Sequence, residues 1–339
     1  MDFSGDIPRP AESAAVANFL QDVAQRPCAL LFEGEAGIGK TTVWLSAVEQ
    51  ARSRGMHVLC ARSAAAESVL SYAALADLMS GIDATVLASL PRPQQRAMDR
   101  VLLRGGADGI ATDPRAVAAG LLSVIDILAT DSPVLIAIDD FQWLDTSSAG
   151  TLAFAFPRLA ARVGLLATVR TDSEADRGPP LPQLPRPDRI QRIRVQPLSV
   201  GALHTLLHER LGRTYSRPTM VRIHEVSAGN PLYALELARS ISDAATLTDR
   251  PLPPTLADVV RTRVGALATE LQDVLLAAAC AAKPTVELIA RTSCKDIDHT
   301  VELLEEAEDK GIVGIDGNGV RFTHPLLAWG LYTLSLIHI

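Results

Sequence analysis

The sequence is short of lysine, aromatic residues and cysteine, and it has no long apolar run. Only four of the 32 basic residues are lysines, and 39 acidic residues give a net charge of −7. No overall positive field therefore attracts nucleic acid or an anionic membrane. The four cysteines lie far apart without a C-x-x-C pair, so we expect reduced thiols, mostly in the core, and neither a disulfide framework nor a zinc site.

The N-terminus has no apolar signal segment, and no uncharged apolar stretch reaches about 18 residues. These absences predict a cytoplasmic protein that does not engage a membrane. What is present is a hydrophobic content of 48% with 21% charged residues in 339 positions. This composition is typical of a globular protein rather than a disordered one, and the length allows two or three domains.

Residues 34–41 read Gly-Glu-Ala-Gly-Ile-Gly-Lys-Thr, the G-x-x-x-x-G-K-[ST] pattern of a phosphate-binding loop. A strand-like run precedes the pattern and a helix-compatible run follows it, as the motif requires. Backbone N–H groups and the helix N-terminus attract phosphate, Lys40 reaches the β- and γ-phosphates, and Thr41 ligates Mg²⁺. The pattern predicts binding of a nucleoside triphosphate by Gly34, Glu35, Ala36, Gly37, Ile38, Gly39, Lys40, Thr41 and Thr42.

A second buried strand is predicted over residues 133–138, and two carboxylates follow it. Beside a phosphate-binding loop, Asp139 would hold Mg²⁺ through water, and Asp140 would orient or polarise the attacking water. The alternative is that both aspartates only cap the next helix.

Further strands are predicted over residues 57–61, 163–169 and 192–195. Strands that alternate with helical stretches indicate an α/β fold, a parallel sheet with helices on both faces. Arg170 ends one of these strands, where a basic side chain can sense the γ-phosphate. The alternative is a surface arginine that begins the following loop.

The ordered motifs resemble those of the signal-transduction ATPases with numerous domains, the STAND branch of the AAA+ superfamily. Within it the chain resembles the N-terminal ATPase module of the large ATP-binding LuxR-type regulators, from about residue 5 to 333. The matching segments are Glu33–Thr41, Ser71–Leu78, Ile138–Asp145, Leu166–Arg170, Pro197–Ser199, Gly229–Tyr233 and Phe322–Leu326. We predict an ATPase core over 1–198, a helical lid over 199–280 and a winged-helix domain over 281–333.

The resemblance implies two further nucleotide contacts, each with a local alternative. Pro231 would pack on the adenine, whereas Gly229-Asn230-Pro231 also suits simple helix initiation. His324 would touch bound ADP, or would only be satisfied by local backbone hydrogen bonds. At the N-terminus, residues 6–12 keep the arginine and glutamate of the family's G-R-x-x-E box but lack its glycine, and the adenine contact of that box is expected to be altered.

The C-terminal part predicts helix, helix, hairpin, the order of a winged helix. The second helix is expected over 298–310, and the turn over Asp316–Gly319. This helix carries one lysine, Lys310, against five acidic residues, Glu302, Glu305, Glu306, Glu308 and Asp309. Such a surface repels phosphate, which argues against DNA binding by the module itself.

The sequence therefore predicts a nucleotide-controlled switch that uses ATP, ADP and Mg²⁺. By resemblance, its partners would be an unknown inducer, DNA through a helix-turn-helix beyond residue 333, and further copies in ATP-dependent self-association. The alternatives are a free-standing AAA+ ATPase of the origin-recognition type and a small-molecule kinase, which would need a substrate lid with paired arginines.

The last six residues, Leu334–Ile339, equal the translation of a common sequencing adapter. We expect this tail to be non-native; an ordinary apolar helix end is the alternative.

Overall fold

The computed structural model describes residues 9–104, 112–159, 162–171, 189–243, 267–281, 283–310, 312–322, 327–328 and 331. The predicted ADP contact His324 and the tail Leu334–Ile339 lie outside these residues. The chain divides into two compact units between Gln196 and Pro197, and each unit is described by itself. The predicted domain boundaries stay predictions.

The first unit is an α/β unit built on a five-stranded sheet. Its strands are β1 (Cys28–Gly34), β2 (His57–Arg62), β3 (Val134–Asp139), β4 (Val163–Arg170) and β5 (Ile190–Arg194). Its helices are α1 (Pro10–Val23), α2 (Lys40–Ser53), α3 (Ala73–Met79), α4 (Ala84–Ala88), α5 (Arg92–Val101), α6 (Pro114–Asp131) and α7 (Thr146–Ala155). The strand order is β2-β3-β4-β1-β5, and every neighbouring pair is parallel.

Helices cover both faces of this sheet, which confirms the predicted fold class. Along β1, Ala29 and Leu31 belong to one apolar core, together with residues of α3, α5, α6 and α7. Leu30 and Phe32 belong to a second core with residues of α1 and α2. Successive side chains of a strand point to opposite faces, so an almost continuous apolar strand requires a helix layer on each side.

The strand register positions the candidate site at the carboxyl edge of the sheet. Gly34 at the end of β1 lies beside Arg170 at the end of β4. Ile138 of β3 pairs with Ala167 of β4, so Asp139 and Thr168 follow one step further along. Parallel strands end at the same edge, which gathers residues that are more than a hundred positions apart in sequence.

The described residues of the second unit form helices and a hairpin. Its helices are α8 (Val200–Leu211), α9 (Arg217–Ser227), α10 (Pro231–Asp243), α11 (Thr269–Cys280), α12 (Val286–Thr292) and α13 (Ile297–Asp309), and its strands are β6 (Val313–Asp316) and β7 (Gly319–Phe322). Side-chain oxygens accept hydrogen bonds from first-turn N–H groups of five of these helices, and they belong to Ser199, Ser216, Asn230, Thr285 and Asp296. Such caps supply acceptors for the unpaired N–H groups of the first turn.

Among the described residues of this unit, apolar side chains form two separate cores. Leu203, Leu207 and Ile223 belong to the core of α8–α10. Leu271 of α11 and Leu304 of α13 belong to the other core, which also contains residues of α12 and the hairpin. The order helix, helix, hairpin from α12 onward agrees with the winged-helix prediction, which stays a prediction, and α11 shares the core of that region.

The turn predicted over Asp316–Gly319 lies at that place: Asp316 and Gly319 pair in the β6–β7 ladder as its first and last residues, and Gly317 takes a φ of 59° as such tight hairpins require. One sequence expectation needs correction. The cysteines are not mostly in the core: Cys28 is buried and Cys60 half-buried, whereas Cys280 and Cys294 are exposed. In the part of the chain that is described, no helix is long and apolar enough to cross a membrane.

Candidate nucleotide-binding site

The predicted phosphate-binding loop runs from Glu35 to Gly39, between the end of β1 and the start of α2. Gly37 and Gly39 have φ values of 76° and 101°, a region that side chains disfavour. A Cβ at Gly39 would lie 3.1 Å from Nη2 of Arg9. The loop therefore needs glycine both for its backbone conformation and for the close approach of this arginine.

Lys40 begins α2 and folds back over the loop. Its Nζ donates to the carbonyl oxygens of Gly34 and Glu35, both at 2.8 Å, and the residue is only 6% exposed. The N-terminus of α2 adds partial positive charge at the same place. These features give the loop the charge and the donors that a phosphate group requires.

Asp139, the last residue of β3, is 3% exposed and has three neighbours that favour its charged form. The Thr168 hydroxyl donates to its Oδ1 at 2.6 Å, and the Thr41 hydroxyl donates to the same atom at 3.3 Å. Nε of Arg62 lies 3.8 Å from Oδ2. Burial nevertheless raises the pKa of this carboxyl above its ordinary value, with the Thr168 hydrogen bond opposing the shift.

Thr41 and Asp139 together suit a magnesium ion. Both offer hard oxygen atoms, which lie 3.3 Å apart, and Mg²⁺ prefers such ligands while keeping several waters and substrate phosphates. Among the described residues, no group of three or more His, Cys, Asp or Glu side chains could hold a metal ion. The two residues fit a metal that is completed by phosphate and water rather than one enclosed by protein.

Asp140 follows β3 in a left-handed conformation, with φ and ψ both at 52°. Its N–H donates to the Thr168 hydroxyl at 2.7 Å. Oδ1 accepts from Nε of Arg170 at 3.2 Å and from Nε2 of Gln142 at 2.8 Å, while Oδ2 accepts from Nη2 of Arg170 at 3.3 Å. Arg170 thus forms a two-point ion pair with Asp140 across the ends of two neighbouring strands.

This geometry decides against the two local alternatives. The side chain of Asp140 makes no cap hydrogen bond to the short turn that follows it, Phe141–Trp143. Helix α7 is capped instead by Asp145, which accepts from the N–H of Ser148. Arg170 is not a free surface arginine, because its side chain is 22% exposed and pairs with Asp140. The catalytic and sensing roles themselves stay predictions.

Arg9 and Glu12, the remaining residues of the N-terminal box, contact the backbone of the first unit. Arg9 donates to the carbonyl of Ile38 at 2.6 Å and to that of Gln196 at 2.8 Å. Glu12 is buried, and its Oε1 accepts from the N–H of Gln196 at 3.3 Å. Burial lowers the pKa of Arg9, with Glu12 opposing the shift. Arg9 therefore connects the phosphate-binding loop, at Ile38, to the backbone of Gln196.

The predicted adenine contact lies in the second unit. Pro231 is the first residue of α10, and the side chain of Asn230 accepts from the N–H of Leu232 at 3.1 Å. Gly229 has a φ of 74°, and a Cβ there would lie 2.6 Å from the Leu198 carbonyl oxygen. These contacts are those of helix initiation beside a close backbone approach. The adenine role of Pro231 stays a prediction.

Sequence reasoning missed two residues of the site, Thr168 and Gln142. Thr168 is fully buried and connects both aspartates, and the available signal was a polar residue inside an otherwise apolar strand. Gln142 is 6% exposed and touches Asp140 and Arg170. Its signal was weaker, since a glutamine three residues after a strand is ordinary in a loop.

Comparison with known proteins supports an ATPase activity in general. Residues 8–169 match a family model described as an AAA ATPase domain, which covers the phosphate-binding loop, both aspartates and most of β4. This match supports nucleotide binding by the first unit. No curated protein is significantly similar to the sequence.

Solved structures show a distant likeness over most of the chain. A Walker-type ATPase of Pyrococcus abyssi is 14% identical with a TM-score of 0.44, covering 96% of each chain. Cdc6p from Pyrobaculum aerophilum is 15% identical with a TM-score of 0.45, covering 99% of this chain and 97% of its own. AMPPCP-bound DnaA from Aquifex aeolicus is 14% identical with a TM-score of 0.41, covering 91% and 90%. Similarities at this level do not carry an activity over to the present chain.

Proposed function

We propose that the chain is an ATP-binding and slowly hydrolysing signal-transduction switch, the regulatory ATPase part of a LuxR-type transcriptional regulator. The observation that carries the proposal is the pair of carboxylates beside the phosphate-binding loop. Asp139 lies 3.3 Å from the Thr41 hydroxyl, and Asp140 forms its ion pair with Arg170. The end of this strand can therefore supply two groups to the reaction: a ligand for the metal and a carboxylate that orients the attacking water.

Each residue has a distinct task in the proposed reaction. The loop N–H groups and Lys40 bind the β- and γ-phosphates, and Thr41 with Asp139 holds the metal. Bound Mg²⁺ would offset phosphate charge. Asp140 orients the attacking water and accepts its proton, while Arg170 stabilises charge on the γ-phosphoryl group. Hydrolysis would be slow because Arg170 and Gln142 both donate to the carboxylate oxygens of Asp140 and so occupy the atoms that the attacking water needs.

The regulatory part of the proposal rests on the resemblance of the ordered motifs. ATP exchange would open a form closed over ADP, with Pro231 on the adenine and His324 touching ADP. The inducer, the ATP-dependent self-association and the DNA contact through a helix-turn-helix beyond residue 333 follow from the same resemblance.

The first experiment measures MgATP binding and phosphate release by the purified chain. Lys40→Ala is expected to lose triphosphate affinity, because it removes the cation that faces the β- and γ-phosphates. Asp140→Asn is expected to bind ATP but to lose turnover. Lys310→Ala is the matched control, since Lys310 is an exposed lysine paired with Glu306 at the end of α13. Unchanged ATP binding by Lys40→Ala would defeat the site assignment, and unchanged turnover by Asp140→Asn would remove Asp140 from the reaction.

A free-standing AAA+ ATPase of the origin-recognition type is the second candidate. The observation that favours it is a row of arginines on and just after α5, spaced four residues apart as Arg92, Arg96, Arg100 and Arg104, with the first two and the last exposed. Arg92, Arg96 and Arg100 lie within α5, where side chains at this spacing share one side of the helix and can follow a phosphate backbone. Stimulation of phosphate release by duplex DNA, lost in an Arg92→Glu/Arg96→Glu variant, would favour this candidate over the switch.

A further inference from the structure

Gln142 occupies the junction between the two groups that are expected to act on the γ-phosphate. Its side-chain nitrogen donates to Oδ1 of Asp140 at 2.8 Å, and its side-chain oxygen accepts the backbone N–H of Arg170 at 3.2 Å. Both ends of the amide are therefore used, and the residue is 6% exposed. A buried amide with both ends bonded is held in one orientation.

Arg170, which Gln142 joins to Asp140, can also bind a γ-phosphate. Arg170 gives Nε and Nη2 to the two oxygens of Asp140 at 3.2 and 3.3 Å. A guanidinium binds carboxylate and phosphate with the same fork of donors. A γ-phosphate that approaches Arg170 must therefore compete with Asp140, and ADP, which has no γ-phosphate, does not.

We propose that Gln142 is a positioning residue that holds Arg170 on Asp140, so that ATP must displace this contact and ADP need not. The inference rests on the proposed function of the same site. It has two consequences. The Arg170–Asp140 contact lowers the affinity for ATP relative to ADP, and it keeps Asp140 engaged until Arg170 turns to the γ-phosphate. Asp140 is then free to accept a hydrogen bond from the attacking water. It therefore takes part in the reaction only when a triphosphate is bound.

Thr168 supports the same arrangement from the opposite side. Its hydroxyl accepts the N–H of Asp140 at 2.7 Å while it donates to Asp139 at 2.6 Å. The backbone of Asp140 is thus fixed by β4, and only the side chains of Asp140 and Arg170 need to move. The exchange requires side-chain rotation and no shift of a strand.

The test compares the affinities for ADP and for β,γ-methylene ATP, each with Mg²⁺, by isothermal titration calorimetry on the full chain. Gln142→Met keeps the length of the side chain and removes both hydrogen bonds. We expect it to raise the preference for the triphosphate analogue about tenfold, the worth of roughly one hydrogen bond to a charged group. A merely structural role would weaken both ligands alike and leave their ratio unchanged.

A second variant at the same position should act in the opposite direction. Gln142→Glu keeps an acceptor for the N–H of Arg170 and places a second carboxylate beside that of Asp140, which increases the negative charge around the Arg170–Asp140 contact. We expect Arg170 to be held more firmly and the triphosphate preference to fall below that of the parent. Opposite changes from two substitutions of one residue would not come from loss of folding.

A double variant gives the sharpest outcome. Asp140→Asn already releases Arg170, so Gln142→Met in that background should add no further triphosphate preference. Equal ratios in the parent, Gln142→Met and Gln142→Glu, with both ligands bound, would overturn the inference and leave the ATPase proposal standing. Failure of the parent to bind either ligand would overturn the proposed function itself.

Discussion

At the scale of single residues, Thr168 is a buried hydroxyl on which the geometry of the site depends. It is fully buried, and it joins the carboxylate of Asp139 to the backbone of Asp140. Valine has nearly the same shape but offers neither a donor nor an acceptor. Comparing threonine with valine at position 168 therefore separates the contribution of the hydroxyl group from that of side-chain packing.

We expect Thr168→Val to lower kcat/KM for MgATP by at least about tenfold, since a hydrogen bond to a charged group contributes roughly 1.5–3 kcal/mol. Thr168→Ser, which keeps the hydroxyl, should retain most of the activity. Steady-state phosphate release over a series of ATP concentrations measures both variants. Equal losses in the two would assign the effect to packing of the methyl group instead.

The cysteines provide a second residue-scale prediction, about reactivity. Burial raises the pKa of the Cys28 thiol to about 12, and only the thiolate reacts. Because a raised pKa means less thiolate, Cys28 should not react with an aromatic disulfide reagent at pH 8. The exposed Cys280 and Cys294 should react first and the half-buried Cys60 more slowly. Rapid labelling of Cys28, located by mass spectrometry of peptides, would contradict its burial in β1.

At the scale of helices and strands, Asp145 joins two helices through one buried carboxylate. Its Oδ1 accepts the N–H groups of Tyr72 and Ser148, both at 2.9 Å, and its Oδ2 accepts that of Ala74 at 3.2 Å. The residue is 2% exposed. It therefore caps α7 and also fixes the start of α3, which follows β2 and the loop after it.

Asp145→Ala is expected to lower the free energy of unfolding by more than about 2 kcal/mol, because it leaves three N–H donors without an acceptor. Asp145→Asn keeps one oxygen and should lose less. Asp83→Ala is the matched control, since Asp83 caps only the short exposed helix α4 through Thr85. Urea unfolding of the three variants measures their free energies of unfolding and so ranks the three losses. A loss for Asp83→Ala as large as for Asp145→Ala would argue against the two-helix role.

The sequence was sufficient to predict the sheet and its edge, because those signals are local. The apolar runs of β1, β3 and β4 and the glycine-rich loop each depend on neighbouring residues. The contacts of Gln142 and Arg170 could not be predicted in the same way. They depend on the register of β3 against β4 and on the left-handed backbone of Asp140, which are properties of the assembled sheet.

The contacts of Arg9 could not be predicted from the sequence for the same reason. Because its box lacks the family's glycine, the adenine contact was expected to be altered, and the sequence did not indicate that the Arg9 guanidinium binds the carbonyls of Ile38 and Gln196. Those carbonyls are 29 and 187 positions away, and no local pattern brings them together. In the second unit, by contrast, the hairpin and its preceding helix were predictable because turn and capping residues are neighbours in sequence.

At the scale of the whole molecule, a switch requires that a nucleotide bound to the first unit alters the second. A ligand shifts an equilibrium between two forms only by its different affinity for them. Binding of ATP and of ADP must therefore differ in their effect on α8–α13, and not only on the loop. Hydrogen–deuterium exchange on the full chain separates these effects, since it reports each segment by itself.

We expect MgATP and MgADP both to slow exchange over residues 34–41, because both place phosphates on the same N–H groups. Exchange within α8–α13 should differ between the two nucleotides if ADP stabilises a closed form. Lys40→Ala, measured at the same nucleotide concentrations, should show neither change. Equal exchange of α8–α13 with ATP and ADP, together with protection of the loop, would leave the ATPase intact and remove the switch. The free-standing ATPase would then be the better account, and stimulation by duplex DNA would be the next property to measure.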